Sequence, residues 1–237
     1  MSEYRIALAG NPNTGKSTLF NALTGLNQHT GNWPGKTVSL AEGTFHYKGN
    51  DYRLIDLPGT YSLFSNSADE EVARDYIIFE QPDVTIVVVD ATSLERNMNL
   101  ALQVLEMTER VILCINLIDE ASKHGIVIDD QKIASKLGIP VVKMSARNGE
   151  GITRLLDTLH KMVSGQIITR PYRIEYSEKI ENHIQRIEPK IKEIFGDSLP
   201  ARWLALRLLE GDESLLRVLK QKFARKQPPA RVTRAHG

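Results

Sequence analysis

The chain has 237 residues, with 30 Lys and Arg against 29 Asp and Glu and a formal net charge of +1. This length allows one α/β domain of ordinary size and a small second unit, and the balanced charge argues against a surface dominated by nucleic-acid binding. The longest apolar runs, residues 84–89 and 111–118, are too short to span a bilayer, and one cysteine, Cys114, excludes an internal disulfide bond.

Strand and helix patterns alternate over the first two thirds of the chain. Apolar and β-branched runs predict strands at residues 4–9, 38–47, 52–56, 84–90, 111–116 and 140–144. Helical spacing predicts helices at residues 17–24, 68–79, 97–107, 129–137 and 151–163. Residues 26–37, rich in Gly, Asn, Thr and Pro, are predicted to form a loop. The alternation predicts an α/β fold: a mostly parallel sheet with one antiparallel edge strand and helices on both faces.

The composition changes near residues 165–171, and no further buried-strand pattern follows. We therefore predict a first domain at residues 1–165 and a small all-helical subdomain at residues 166–226, with helices at 176–194, 200–209 and 213–224. Residues 227–237 are predicted to be an unstructured tail. The chain from residue 214 onward is basic, which is typical of a solvated tail; contact with an anionic membrane or RNA is the alternative.

Residues 10–17, GNPNTGKS, match the phosphate-binding pattern G-x-x-x-x-G-K-[ST] at every fixed position. A predicted strand precedes the pattern and a predicted helix follows it, as this kind of site requires. The glycines let successive N–H groups point inward as an anion-binding nest, and the helix N-terminus adds its positive dipole end. Lys16 is expected to reach the β- and γ-phosphates, and the Ser17 hydroxyl is expected to ligate Mg²⁺. The predicted phosphate-binding residues are Gly10, Asn11, Pro12, Asn13, Thr14, Gly15, Lys16, Ser17 and Thr18.

Two later segments predict contacts to Mg²⁺ and to the γ-phosphate. Asp56 begins the sequence Asp-Leu-Pro-Gly and is expected to supply a carboxylate for Mg²⁺, while the N–H of Gly59 faces the γ-phosphate. Thr37 can add a second hydroxyl to the Mg²⁺ site. Each of these short motifs alone is a weak indicator of a nucleotide site, but their order and spacing together are highly specific for one.

The predicted base site selects guanine. Asn116 and Asp119 follow a buried strand with the spacing N-x-x-D. A carboxylate can accept hydrogen bonds from both N1–H and the 2-amino group of guanine, whereas adenine has neither donor there. The backbone N–H groups of Ser145, Ala146 and Arg147 are expected to meet the guanine O6.

With these motifs in order, the chain resembles P-loop GTPases of the translation-factor-related class. More closely, it resembles the cytosolic N-terminal domain of the ferrous iron transport protein B family. The resemblance is strong over residues 4 to about 163 and less specific over the helical region, which in that family is a spacer that stabilises the GDP-bound state. The segments that carry it are residues 10–17, 31–38, 56–63, 116–119 and 145–146.

The resemblance implies a domain that hydrolyses GTP to GDP and phosphate and regulates a bacterial ferrous iron transporter. It implies that the membrane-embedded portion of the same protein is the partner and that nucleic acid is not. It also implies that this soluble chain lies on the cytoplasmic side of the inner membrane. Whether the chain forms homo-oligomers stays open. One alternative is a soluble GTPase of ribosome assembly or tRNA modification. Another is an interaction module that binds GTP and scarcely hydrolyses it.

The mechanism is expected to depart from that of Ras-type GTPases. Thr60 follows the Asp-Leu-Pro-Gly segment, where those enzymes have a water-orienting Gln. Arg74 and Arg96 are interpreted as surface residues rather than as an internal arginine finger. The resemblance implies that K⁺ instead offsets the negative charge that develops between the β- and γ-phosphates. The Asn13 side chain and the carbonyls of Gly31 and Trp33 would hold this ion. Alternatively, Asn13 only shapes the turn of the phosphate loop. The predicted catalytic residues are Asn13, Lys16, Thr37 and Gly59.

Overall fold

A central sheet of seven strands organises the part of the chain that the computed structural model describes, residues 3–25, 28–33, 37–64 and 67–223. The strands are β1 (Glu3–Gly10), β2 (Gln28–Asn32), β3 (Ser39–Tyr47), β4 (Asn50–Asp56), β5 (Val84–Asp90), β6 (Val111–Asn116) and β7 (Val141–Lys143). Their order in the sheet is β2-β3-β4-β1-β5-β6-β7. Neighbours from β4 to β7 are parallel, while β3 is antiparallel to both β2 and β4. The predicted mostly parallel sheet with an antiparallel edge is confirmed.

The outermost strand, β2, corrects the sequence prediction. Residues 26–37 were expected to form a loop, but Gln28–Asn32 pair with β3, with Thr30 opposite Ala41 and Gly31 opposite Leu40. All five residues of β2 are exposed, so no buried apolar pattern marks the strand. Backbone pairing with β3 defines it instead, and composition carries little signal for such pairing.

Nine α-helices lie within the described residues, most of them close to the predicted positions. They are α1 (Lys16–Thr24), α2 (Ala68–Asp75), α3 (Leu94–Met107), α4 (Ile118–Lys123), α5 (Asp130–Leu137), α6 (Ile152–Val163), α7 (Glu178–Phe195), α8 (Ala201–Glu210) and α9 (Glu213–Phe223). A π-helical turn, Tyr76–Glu80, continues α2. The sequence analysis missed α4, which has only six residues. The predicted tail, residues 227–237, lies outside the described residues, and in the described part no helix is long and apolar enough to cross a membrane.

Two apolar layers cover the two faces of the sheet. In β1, Ile6 and Leu8 point into one layer and Ala7 and Ala9 into the other, as the two-residue period of a strand requires. The first layer also holds α1 and α6, and the second holds α2, α3 and the C-terminal helices. Cys114 is fully buried, and burial raises the pKa of its thiol, so Cys114 is a core residue rather than a reactive thiol.

The buried side chain of Arg74 joins α2 to the C-terminal helices and corrects its interpretation as a surface residue. Its guanidinium is 0% exposed. Nη2 lies 2.7 Å from the carboxylate of Asp75, and Nη1 lies 3.1 Å from both Asp212 and the hydroxyl of Ser214. Charge compensation from two carboxylates allows this cation to be buried. Arg96 is exposed, as predicted.

Replacing Arg74 should destabilise the fold, because Arg74→Met removes the cation from between two partly or fully buried carboxylates. We expect a loss of about 3–5 kcal/mol in the free energy of unfolding, the range for breaking a buried ion pair from one side. Urea denaturation followed by circular dichroism measures it. The exposed variant Arg96→Met is the control, and an equally small loss in both proteins would contradict the prediction.

Candidate functional site

The phosphate-binding pattern forms a tight loop between the end of β1 and the start of α1. Asn13 and Gly15 adopt left-handed backbone conformations, with φ of 65° and 79°. The hydroxyl of Thr14 donates to the carbonyl of Asn11 across the loop at 2.9 Å. Gly15 is the N-cap of α1, so the loop leads directly into a helix N-terminus, where Ser17 and Thr18 are exposed in the first turn. This geometry suits the predicted anion-binding nest.

The Asp-Leu-Pro-Gly segment lies beside the phosphate loop. The N–H of Leu57 donates to Leu8 at 3.0 Å, and the N–H of Thr60 donates to Gly10 at 3.3 Å, so the segment follows the end of β1. A Cβ placed on Gly59 would lie 3.5 Å from the backbone of Pro12. A cleft of about 610 Å³ opens here, and its lining includes the predicted residues Lys16, Thr37, Asp56 and Gly59.

Lys16 and Asp56 form an ion pair within this cleft. The ammonium of Lys16 contacts the Asp56 carboxylate and also donates to the carbonyl of Leu57 at 2.7 Å. Burial raises the pKa of Asp56, and the positive charge of Lys16 partly opposes that rise. Asp56, Ser17 and Thr37 offer the carboxylate and hydroxyl oxygens that a hard cation such as Mg²⁺ prefers, so the donor set fits this ion.

The three residues expected to hold K⁺ lie on different parts of the fold, Asn13 in the phosphate loop and Gly31 and Trp33 at β2 and its end. Gly31 and Trp33 belong to the β2–β3 hairpin, where the N–H of Trp33 donates to Val38 at 2.9 Å. The Trp33 ring packs on Tyr76, with ring centroids 5.6 Å apart. At ~4.8 Å per strand, three strand spacings put β2 about 14 Å from β1, which leads into the loop that carries Asn13. The strand order thus separates Gly31 and Trp33 from the strand that leads into the loop of Asn13.

Asn116 links the phosphate loop to the predicted base site. Its amide nitrogen donates to the carbonyl of Thr14 at 2.8 Å, and its amide oxygen accepts from the N–H of Ala146 at 2.9 Å. The side chain is 1% exposed. Asn116 therefore fixes the two loops relative to each other, a positioning role that the N-x-x-D spacing did not reveal.

Asp119 lies next to the loop at residues 145–148. Its Oδ2 accepts from Arg147 Nη2 at 3.1 Å and from Asn148 Nδ2 at 3.3 Å. Burial favours the protonated acid, but the neighbouring Ser145 and Arg147 outweigh it and hold the pKa of Asp119 below its usual value. Asp119 is therefore a carboxylate at neutral pH. The sequence analysis missed Asn148, because only the turn at Ala146–Asn148 brings its amide back toward α4.

A phosphate loop after β1, an acidic segment beside it and an Asn–Asp pair after β6 together define the site of a P-loop nucleotide-binding protein of the GTPase class. The family model described as "Ferrous iron transport protein B" matches residues 4–159, and that of the FeoB cytosolic helical domain matches residues 176–235. The chain belongs to the ferrous iron transport protein B family.

Two curated relatives illustrate the similarity. The Fe(2+) transporter FeoB of Methanocaldococcus jannaschii is 45% identical over 223 residues, which are 93% of this chain and 32% of the relative. The Fe(2+) transport protein A/Fe(2+) transporter FeoB fusion protein of Porphyromonas gingivalis is 41% identical over 92% of this chain and 26% of its own length. The chain thus spans between a quarter and a third of these relatives.

Solved structures with this fold include nucleotide forms. The cytosolic domain of T. maritima FeoB in a GDP form has a TM-score of 0.82 and 41% identity, covering 91% of this chain and 85% of that one. Its GMPPNP form has the same TM-score and identity, covering 91% and 84%. An S. thermophilus NFeoB N11A mutant bound to mGDP has a TM-score of 0.79 and 33% identity, covering 94% and 91%.

A methyl group on Gly15 should weaken nucleotide binding. Its Cβ would lie 2.3 Å from the amide nitrogen of Asn116, so Gly15→Ala must displace the link between the two loops. We expect the Kd for a fluorescent GDP analogue to rise by about tenfold or more, the cost of losing one or two well-formed hydrogen bonds.

Gly49→Ala is the matched control, because Gly49 has nearly the same φ, 80°, but no atom within 4 Å of a new Cβ. Both variants carry the left-handed strain, and only Gly15→Ala carries the clash. Equal affinities in the two variants would contradict the prediction.

Proposed function

We propose that this chain is a GTP-hydrolysing regulatory domain. The observation that carries the proposal is the convergence of Lys16, Thr37, Asp56 and Gly59 on one cleft beside the phosphate loop. The nucleotide forms solved for similar FeoB cytosolic domains support nucleotide binding here. The relatives named Fe(2+) transporter FeoB support a role in ferrous iron transport. The domain would act with a membrane-embedded portion of such a transporter, at the cytoplasmic side of the inner membrane.

Each residue of the cleft has a role in this proposal. Lys16 would leave Asp56 and bind the β- and γ-phosphates, while the N–H of Gly59 would bind a γ-phosphate oxygen. Ser17, Thr37 and Asp56 would hold Mg²⁺, which neutralises phosphate charge when bound. Thr60 is 5% exposed, so its side chain does not face an attacking water in this conformation. The acceleration would then come from positioning and charge neutralisation rather than from a general base.

Single-turnover phosphate release tests the proposal directly. With excess protein, Mg²⁺ and GTP, we expect GTP to be converted to GDP and phosphate, and ATP to be left intact. Lys16→Ala should lower the rate by about 100-fold or more, because it removes a charge-assisted contact to the transferred group. Lys48→Ala, in the exposed turn between β3 and β4, is the control. Bound GTP without phosphate release would favour an interaction module instead.

We also propose that K⁺ activates hydrolysis, as the family resemblance implies. Turnover in KCl should exceed turnover in NaCl at equal ionic strength by about tenfold, the scale of one added electrostatic contact at the phosphates. Asn13→Ala should remove the difference between the two salts, whereas Asn99→Ala, on the exposed face of α3, should retain it. Equal rates in the two salts for the unmodified protein would refute K⁺ activation and leave the hydrolysis proposal intact.

A further inference from the structure

The loop after β7 forms a closed turn whose backbone does not depend on its exposed side chains. The N–H of Ser145 donates to Glu150 at 3.0 Å, and the N–H of Asn148 donates to Ser145 at 3.1 Å. Gly149 ends the turn with a φ of 75°. Arg147 and Asn148 are both exposed. Their side chains can therefore be changed without removing a backbone contact of the turn.

Both exposed side chains reach back to the same atom. Arg147 and Asn148 each donate to Oδ2 of Asp119, at 3.1 Å and 3.3 Å, and Arg147 also approaches Glu120 at 3.4 Å. The other oxygen of Asp119, Oδ1, is buried and accepts neither of these bonds, while the hydroxyl of Ser145 also neighbours the carboxylate. One carboxylate oxygen is thus held by two donors, and the second is withdrawn from solvent.

The orientation of this carboxylate matters because the final torsion of an aspartate has broad, shallow preferences. Guanine presents two donors on one edge, N1–H and the 2-amino group, and a carboxylate receives both only when its plane matches that edge. Hypoxanthine has N1–H but lacks the 2-amino group. The ratio of the affinities for GDP and IDP therefore reports on the orientation of the carboxylate. A general loosening of the loop would instead weaken the binding of both nucleotides equally.

We propose that Arg147 and Asn148 are positioning residues that hold Asp119 in the orientation that distinguishes guanine from hypoxanthine. This inference rests on the proposed guanine nucleotide binding and assigns the selectivity of that site to two side chains outside the N-x-x-D motif. Neither side chain needs to touch the nucleotide. Both act through Asp119.

The experiment uses isothermal titration calorimetry of GDP, IDP and ADP against the whole chain with Mg²⁺. The variants are Arg147→Ala, Asn148→Ala and the isosteric Asn148→Asp, which replaces a donor to Asp119 by a second negative charge. Lys123→Ala is the matched control, because Lys123 lies on α4 and pairs with Glu120 at 3.0 Å. Circular dichroism melting checks that each variant is folded.

We expect each alanine variant to weaken GDP binding by about threefold to tenfold and IDP binding by less, so that the GDP to IDP affinity ratio falls. Asn148→Asp should lower the ratio further, and Lys123→Ala should leave it unchanged. An unchanged ratio in the three variants would overturn this inference alone. If the unmodified chain binds GDP no more tightly than ADP, the proposed function fails and this inference fails with it.

Discussion

The amide of Asn116 is the interaction on which the geometry of the site depends. A single side chain donates to the phosphate loop after β1 and accepts from the loop after β7, across the end of β6. Because both bonds are buried, water cannot replace either one at low cost. The predicted phosphate site and the predicted base site are therefore held at a fixed separation by one residue, and Gly15 must lack a side chain to leave room for it.

The motif loops at the strand ends could be predicted from the sequence, whereas the long-range contacts around them could not. The glycine spacing of residues 10–17 and the strand before it identify a phosphate loop, because few other sequences build that turn. In contrast, β2 has no apolar alternation, and pairing with β3 alone defines it. Arg74 was misassigned because charge predicts exposure unless a partner is known, and its partner Asp212 lies 138 residues later. Asn148 reaches Asp119 only through the turn that precedes it.

The segment that follows Gly59 connects the cleft to the C-terminal helices. The N–H of Leu63 donates to the side chain of Gln103 on α3 at 2.7 Å, and the ring of Phe64 lies 4.9 Å from the guanidinium of Arg207 on α8. Arg74, on the helix that follows, reaches Asp212. A displacement of this segment therefore changes contacts with α3 and with α8, which gives the sheet domain and the C-terminal helices a physical route of energetic coupling.

The pairing of Lys16 with Asp56 has a consequence for how the cleft selects its ligands. The lysine already has a negative partner, so an incoming phosphate exchanges for a carboxylate rather than meeting an isolated cation. A lone anion such as sulfate would gain little binding free energy from that exchange, because binding of the anion to Lys16 would leave the Asp56 carboxylate without its counterion. A ligand that arrives with its own divalent cation satisfies both members of the pair at once. With the proposed function, this exchange would disfavour simple anions and favour a polyphosphate that carries a divalent cation.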